Sequence, residues 1–279
     1  MPIITIKILD APAARPAQAL GLLVPKAIST AHQSFVNLEI TGADQRQAVS
    51  ETSSNQGAML VTDLSDEPVL TYTFTQTGLA DDPGDYAQFD NRYTRASPHL
   101  CDTIVELMDN DQGVTAQRIV SHTASLFDYG HPDEKFNDGH DDVPVIACGV
   151  AKGSCVDINT YLVSAFNAAG IPAVYFAGYF FPEERGGITN DMHCWVATWI
   201  NGAWQEWDIA HHKKLGIGAD DIQAGYNPKP GRRFAITYGR GLTYDLDTTQ
   251  MVVSHLSEPK WVFADGATQT ARIEARLTD

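Results

Sequence analysis

The sequence predicts an α+β protein in which a β-rich region precedes a domain of mixed helices and antiparallel strands. Residues 1–95 contain short apolar runs with alternation or β-branched enrichment, separated by turn-forming residues. From Ser97 onward, apolar residues recur at helical spacing. An Asn-Gly pair at 201–202, between two alternating apolar runs, is typical of a β-hairpin. We therefore predict a β-rich domain over 1–95 and a second domain over 96–279.

The composition and charge exclude several functional classes. The chain has 279 residues and 43% hydrophobic content, which suits one large domain or two smaller ones. A formal net charge of −16 gives no electrostatic footprint for nucleic acid or for an anionic membrane surface. No apolar run approaches the ~18 residues of a membrane span, and residues 1–16 lack the apolar core of a signal peptide. We predict a cytoplasmic protein with no nucleic-acid or membrane partner.

The first half of the chain supplies the predicted strands and the first helices. The predicted N-terminal strands are ITIKI, SFVNLEI, AMLV and VLTYTFTQT. A first helix begins after Ser97, which is a good N-cap, and a second spans 115–130 with Thr115 as its N-cap. Residues 130–142 form an acidic loop that fails the EF-hand template, because Asp138 stands where glycine belongs. We expect a solvated loop there.

A cysteine stands at the start of a predicted buried helix. The helix spans 155–169, with Ser154 as its N-cap, Gly170 as its C-cap and Pro172 beyond its end. The orphan N–H groups and the dipole of a helix N-terminus stabilise a thiolate, so Cys155 is a candidate nucleophile. Without further evidence, a cysteine at such a position is more often an inert buried thiol than a nucleophile.

Two predicted strands over 192–210 bring a histidine and an aspartate to one face. With Asn201 and Gly202 as a two-residue turn, opposite residues have numbers that sum to 403. His193 and Asp208 then project from the same face as diagonal neighbours, about 7–8 Å apart. A slip of one residue would put them on opposite faces. The other face carries the apolar residues Val196, Ile200, Trp207 and Ile209.

These three residue types together indicate nucleophilic catalysis. Cys155 would attack a carbonyl carbon, and His193 would act as the general base. Asp208 would hold the imidazole in the required tautomer. The pairing of histidine and aspartate on one face makes the cysteine a stronger candidate than its helix position alone.

Substrate contacts are predicted next to the nucleophile. The small residues Gly153 and Ser154 would let an acyl group approach the backbone, where the N–H of Cys155 can contribute to an oxyanion hole. Trp195 is one of five tryptophans and is a candidate cleft wall.

Three ordered blocks of sequence resemble the transglutaminase-like superfamily of papain-related cysteine enzymes. They are GSCVDINTYLVSAFNAAGIPAVYFAGY, HCWVATWINGAWQEWDIA and TYGRGLTYDLD, within residues 97–250. The resemblance implies a transglutaminase-like (papain-related) core, with the nucleophile at a helix N-terminus packed on an antiparallel sheet. It also implies Cys155 as nucleophile, His193 as base and Asp208 as the third member. The chain departs from the usual pattern at Ile209, where many members have proline.

Metal and redox alternatives have weaker support. The four cysteines include no CxxC pair, which argues against structural zinc. His211 and His212 follow the predicted strand, and adjacent residues of a strand point to opposite faces, so they make a poor pair of metal ligands. We predict no metal and no cofactor. Oxidative pairing of Cys148 with Cys155 stays open as an alternative.

The sequence therefore predicts cysteine-dependent acyl transfer on peptide or side-chain amides through a thioester. Hydrolysis is the leading reaction, which would make the protein a cysteine protease or amidase with a peptide or protein substrate. Three alternatives stay open. They are transglutaminase-type cross-linking or deamidation of glutamine, transfer of the arylamine N-acetyltransferase kind, and a non-catalytic binding module that retains the fold.

Overall fold

The computed structural model describes residues 1–11, 15–54, 56–64, 67–75, 77–78, 82–246 and 249–279. The helices are α1 (Pro98–Leu107), α2 (Gln112–Ser125), α3 (Cys155–Ala168) and α4 (Ile209–Lys214). The early strands are β1 (Ile3–Ile8), β2 (Gly21–Pro25), β3 (Ser34–Thr41), β4 (Gln45–Ser50), β5 (Gly57–Thr62) and β6 (Val69–Thr75). The later strands are β7 (Phe127–Tyr129), β8 (Ala151–Gly153), β9 (Ala173–Pro182), β10 (Ile188–Thr189), β11 (Met192–Ile200), β12 (Ala203–Trp207), β13 (Gly231–Tyr238), β14 (Leu242–Leu246), β15 (Thr249–Val253), β16 (Lys260–Val262), β17 (Thr268–Thr270) and β18 (Ile273–Thr278). The predicted α+β class is confirmed.

Helix α3 packs against a four-stranded antiparallel sheet with the order β12-β11-β9-β13, and the other helices pack against α3. All ten residues of β9 are buried, as its continuous apolar sequence predicts. Helix α3 lies on this sheet and buries Ile158, Leu162 and Phe166 in the largest apolar cluster. The N-terminus of α3, where Cys155 stands, is thereby fixed against the sheet. No helix among the described residues combines the length and the apolar character needed to cross a bilayer.

Two five-stranded sheets have the orders β10-β18-β1-β6-β3 and β17-β16-β2-β5-β4, and two strand pairs, β7-β8 and β14-β15, stand apart from them. A second apolar cluster lies between the two five-stranded sheets and includes Ile4, Leu22 and Trp261. Strand β1 lies between β6 and β18, and β2 lies between β5 and β16. Strands from both sides of residue 95 thus share sheets, and the domain boundary at that residue stays a prediction. The acidic stretch at 77–91, which precedes the predicted boundary, includes residues 79–81, which lie outside the described residues.

The predicted hairpin is confirmed in its turn and its register. Asn201 and Gly202 have φ values of 53° and 79°, as a type I′ turn requires. Val196 pairs with Trp207, so opposite residues sum to 403 as expected. The apolar face of the hairpin belongs to the cluster beneath α3.

The predicted strand over 203–210 is wrong beyond Trp207. Asp208 leaves the strand and becomes the N-cap of α4, where its Oδ1 accepts the N–H of His211 at 3.1 Å. The expected pairing of residues 208 and 210 with β11 therefore does not form. Alternation in a short apolar run does not distinguish a strand from a strand that turns into a capped helix.

The predicted helix over 115–130 is also partly wrong. Helix α2 begins earlier, because Asp111 Oδ1 accepts the N–H groups of Gly113 and Val114. Thr115, the expected N-cap, lies inside the helix, and its hydroxyl accepts the N–H of Asp109. Residues 127–129 form β7, which pairs in parallel with β8. The sequence analysis also missed β2, which lacks alternation because it is wholly buried, and the polar strand β4.

Candidate active site

Cys155 is the first residue of α3 and lies in a cleft. The residue is 6% exposed, and the cavity that it lines has a volume of about 600 Å³. We call this cavity the Cys155 cleft; its walls include Tyr93, Tyr129, Ser154, Lys214, Arg240 and Glu258. Ser154 is the N-cap residue, as predicted, but its hydroxyl donates to Asp157 Oδ2 at 2.7 Å. The backbone N–H of Ser154 donates to the same oxygen at 2.8 Å, which fixes the turn before the nucleophile.

His193 and Asp208 lie together in the interior. Nε2 of His193 is 2.8 Å from Oδ2 of Asp208, and the two side chains are 5% and 0% exposed. His193 is the second residue of β11, at the end away from the hairpin turn, and Asp208 is the residue that follows β12. Because Asp208 takes Nε2, Nδ1 is the ring nitrogen left for Cys155. The structure thus brings together the three residues that the sequence predicts as nucleophile, base and orienter.

The ionisation of the pair favours a thiolate. Hydrogen bonding with Cys194 lowers the pKa of Cys155, and a hydrogen bond and the charge of His193 lower it further, against the opposing effect of burial. The net result is a pKa well below the ordinary value of a thiol. Burial alone would lower the pKa of His193, but the Asp208 carboxylate and the neighbouring Cys155 raise it to about 9. A thiolate–imidazolium pair is therefore the favoured state near neutral pH.

Cys194 is a second buried thiol at the nucleophile. Burial and then the neighbouring Cys155 raise its pKa well above that of an ordinary thiol, so it keeps its proton and can donate S–H to the Cys155 thiolate. The Asn159 amide donates to the carbonyl oxygen of Cys194 at 2.9 Å and to its sulfur at 3.4 Å. Cys148, the alternative oxidation partner, is exposed, and all four cysteines are free.

A second histidine contacts the same carboxylate, and the sequence analysis missed it. The ring of His211 stacks on His193 with centroids 4.1 Å apart and an angle of 4° between the planes. Its Nδ1 lies 3.0 Å from Asp208 Oδ2 and 3.0 Å from Asn227 Oδ1. Burial lowers the pKa of His211, which keeps it neutral beside the charged His193. An aspartate followed by IAHHKK, with basic residues in the last turn, is a helix-start signal that could have located it.

Three ligand-type side chains meet at this point, but the local charge does not suit a cation. His193, Asp208 and His211 bring potential ligand atoms within 4.8 Å of one another. The guanidinium of Arg233 lies 3.4 Å from Asp208 Oδ2 and also pairs with Glu206. A permanent positive charge beside the shared oxygen opposes a metal ion there. We interpret the group as a hydrogen-bonded network that holds Asp208 ionised.

The residues predicted to contact substrate lie in two different places in the structure. Gly153 is buried directly before Ser154, and a Cβ at Gly153 would lie 2.7 Å from the ring of Phe127. Trp195 is not among the described residues that line the Cys155 cleft. It lines a separate aromatic pocket of about 80 Å³ and donates from Nε1 to Glu206 at 3.0 Å. The structure therefore places Trp195 outside the Cys155 cleft, and its role in substrate binding stays a prediction.

Tyr129 is a further cleft residue that the sequence analysis missed. It stands opposite Gly153 in the parallel pair of β7 and β8, so the backbone places it beside the nucleophile. Its hydroxyl is 3.2 Å from His131 Nε2, and its ring lies 4.5 Å from the Lys214 ammonium. The mistaken helix over 115–130 concealed this residue, because the FDY strand carries too few residues for a periodic signal.

The fold and this group of residues define a transglutaminase-like domain. Residues 98–209 match the family described as the transglutaminase-like superfamily. The matched range begins at α1 and ends at the start of α4, just after Asp208. The resemblance read from the sequence is confirmed for residues 98–209. A comparison with curated proteins found no match.

Two solved structures align with the chain at low sequence identity. A candidate cysteine protease from Cytophaga hutchinsonii aligns with a TM-score of 0.49 at 14% identity, over 99% of this chain and 97% of that one. The periplasmic domain of TgpA from Pseudomonas aeruginosa, bound to ethylmercury, aligns with a TM-score of 0.41 at 14% identity. That alignment covers 76% of this chain and 91% of the TgpA domain.

Proposed function

We propose that the protein is an enzyme that catalyses cysteine-dependent acyl transfer on amides. In this proposal Cys155 is the nucleophile, His193 is the general base and acid, and Asp208 orients His193. The observation that carries the proposal is the buried contact of 2.8 Å between His193 and Asp208, beside a cysteine whose pKa is lowered at a helix N-terminus. Such an arrangement is typical of activated thiol nucleophiles.

The reaction follows from the positions of the donors. The Cys155 thiolate attacks the amide carbonyl carbon, and the backbone N–H of Cys155 stabilises the oxyanion that forms. Tyr129 lines the same cleft, and its hydroxyl is the side-chain group that would donate a second hydrogen bond to the oxyanion. Protonated His193 then gives its Nδ1 proton to the leaving amine, which leaves a thioester on the cysteine. Water, activated by the neutral His193, hydrolyses the thioester and regenerates the thiolate.

Hydrolysis is the proposed outcome because the cleft is open and polar. Its walls carry many hydrophilic side chains, including Asp191, Lys214 and Glu258, so water reaches the thioester as readily as an amine does. Cross-linking would require a dry channel for the amine acceptor. Deamidation of glutamine and non-catalytic binding are the remaining alternatives, and the experiment below separates them.

The test is a product analysis with peptides that contain glutamine. The protein is incubated with the peptides, with and without a small primary amine, and new amino termini, released ammonia and incorporated amine are measured. We expect new amino termini, which Cys155→Ala abolishes and Cys148→Ala, an exposed free thiol, leaves unchanged. Ammonia without new termini would indicate deamidation, and incorporated amine would indicate cross-linking. Binding of peptide without any product would contradict the proposal.

We also propose a cytoplasmic location. All four cysteines are free thiols, which agrees with a reducing compartment. Fractionation of the source cells with an antibody to the protein tests this, and recovery in a periplasmic or extracellular fraction would contradict it.

A further inference from the structure

A glycine-arginine-glycine turn holds Arg240 in a wall of the Cys155 cleft. Gly239 and Gly241 have φ values of 85° and 70°, which other residues rarely adopt. The N–H of Gly239 donates to Tyr175 O at 2.8 Å, and the carbonyl of Arg240 accepts from the Asn91 amide at 2.7 Å. The backbone on both sides of the arginine is therefore fixed.

The guanidinium of Arg240 is buried without a carboxylate. The residue is 3% exposed, and none of the ion pairs among the described residues includes it. Its charge lies 4.6 Å from the ring centre of Tyr93 and 5.1 Å from that of Tyr175. The single hydrogen bond of its side chain to a described residue runs from Nη1 to Tyr175 Oη at 3.4 Å, and Nε has no partner. Burial of a cation costs free energy when most of its five N–H groups have no acceptor, unless a ligand supplies the acceptors.

A second cation lines the same cleft. The ammonium of Lys214 lies over the ring of Tyr129 and forms no ion pair with a described residue. Of the four described acidic residues that line the cleft, one is engaged elsewhere and one is a poor anion. Asp157 binds Ser154 and lies 3.7 Å from the Lys135 ammonium, while burial raises the pKa of Glu258 to about 7. In a chain with a net charge of −16, two unpaired cations in one cleft are a local feature that calls for an anionic ligand.

We propose that Arg240 binds a carboxylate of the substrate, so that the protein acts on peptides or amides that carry a carboxylate within the Cys155 cleft. A carboxylate matches the planar fork of a guanidinium, which donates two parallel N–H bonds to its oxygens. A volume of about 600 Å³ holds a few residues of peptide, so one ligand can reach both Arg240 and Cys155. This inference rests on the proposed function only in taking Cys155 as the attacking group.

The test uses four bromoacetyl tripeptides that alkylate Cys155 from within the cleft. One matched pair is trialanine with a free C-terminal carboxylate and its C-terminal amide. The other pair has a C-terminal amide and differs by glutamate against glutamine at the central position. The second-order rate at Cys155 is measured for each probe by mass spectrometry, and the ratio of acid to amide within a pair cancels any change in thiolate content.

We expect the acid of at least one pair to react about tenfold faster than its amide in the wild type, since a hydrogen bond to a charged group contributes that much or more. The faster pair tells whether the carboxylate is terminal or belongs to a side chain. The ratio should fall to about 1 in Arg240→Gln. It should not change in Arg118→Gln, a matched loss of a surface arginine that pairs with Asp109.

Two results would overturn the inference. One is equal reaction of acid and amide in both pairs with the wild type, and the other is an acid preference that survives in folded Arg240→Gln. If that variant does not fold, Arg240→Lys decides, because lysine keeps the charge but loses the bidentate fork, and an unchanged ratio contradicts the proposal. Acid preference without peptide hydrolysis would refute the proposed function alone.

Discussion

The replacement of His193 by alanine tests whether His193 stabilises the thiolate of Cys155. In the wild type, a hydrogen bond and the charge of His193 help to hold the pKa of Cys155 well below that of an ordinary thiol. The variant removes both effects, while the hydrogen bond from Cys194 and the charge of Lys214 remain. Burial, which raises the pKa of Cys155, is then opposed less strongly. The thiol should therefore lose much of its ionisation below neutral pH.

The expected size of the effect follows from the titration of an ordinary thiol. With a pKa of about 8.5, such a thiol is about 0.3% ionised at pH 6 and about 24% ionised at pH 8, so its alkylation slows about 80-fold over this interval. Wild-type Cys155 should slow by less than about fivefold, because it stays ionised. In His193→Ala the rate should fall steeply toward pH 6, with the 80-fold change as the limit.

The assay is the rate of iodoacetamide labelling at the Cys155 peptide from pH 5.5 to 10, read by mass spectrometry. Cys148 is exposed and reports the reagent's reactivity in the same sample. A second inflection should appear near pH 9 in the wild type, where His193 loses its proton, and should vanish in the variant. The reasoning fails if Cys155 follows an ordinary thiol curve in the wild type, or if both proteins give the same curve.

Three further predictions concern residues in or beside the cleft. Ser154→Ala removes a buried hydrogen bond to a carboxylate, so it should lower the free energy of unfolding in urea by about 1–2 kcal/mol and slow Cys155 labelling. The control variant Ser97→Ala removes the N-cap of α1, and it should cost about 1 kcal/mol and leave labelling unchanged. Gly153→Ala places a methyl group against the ring of Phe127 and should destabilise by about 1–3 kcal/mol; a neutral result in urea would contradict the close approach. Burial raises the pKa of Glu258 from 4.5 to about 7, so the stability from its bound proton is lost as pH rises through 7. Glu258→Gln should match the wild type below pH 4.5 and be more stable at pH 8, by at most on the order of 3 kcal/mol, and equal thermal midpoints at both pH values would refute it.

The hairpin could be predicted because its geometry is local. Asn201 and Gly202 accept positive φ, and this turn alone sets which residues of β11 and β12 face each other. The position of His193 followed from that register. The helix that carries Cys155 could also be predicted from the sequence, because its N-cap residue and its stop signal lie within a few residues of its ends.

What the sequence concealed depends on contacts between distant segments. The contact of His211 with Asp208 needed the change from strand to helix after Trp207, and the pattern of alternation gives no sign of that change. The burial of Arg240 arises because Tyr93 and Tyr175, far apart in the chain, enclose one guanidinium. No spacing rule applies to such an arrangement.

The pairing of β1 with β18 also decides which fragments of the chain can be studied alone. Ile3 lies opposite Thr278, and β1 supplies the hydrogen bonds along one edge of β18. A fragment that starts at residue 96 would expose that edge of β18 and the edge of β16 that β2 covers. Unpaired edges of this kind promote association between chains. Work on the transglutaminase-like region therefore calls for the N-terminal strands in the same polypeptide.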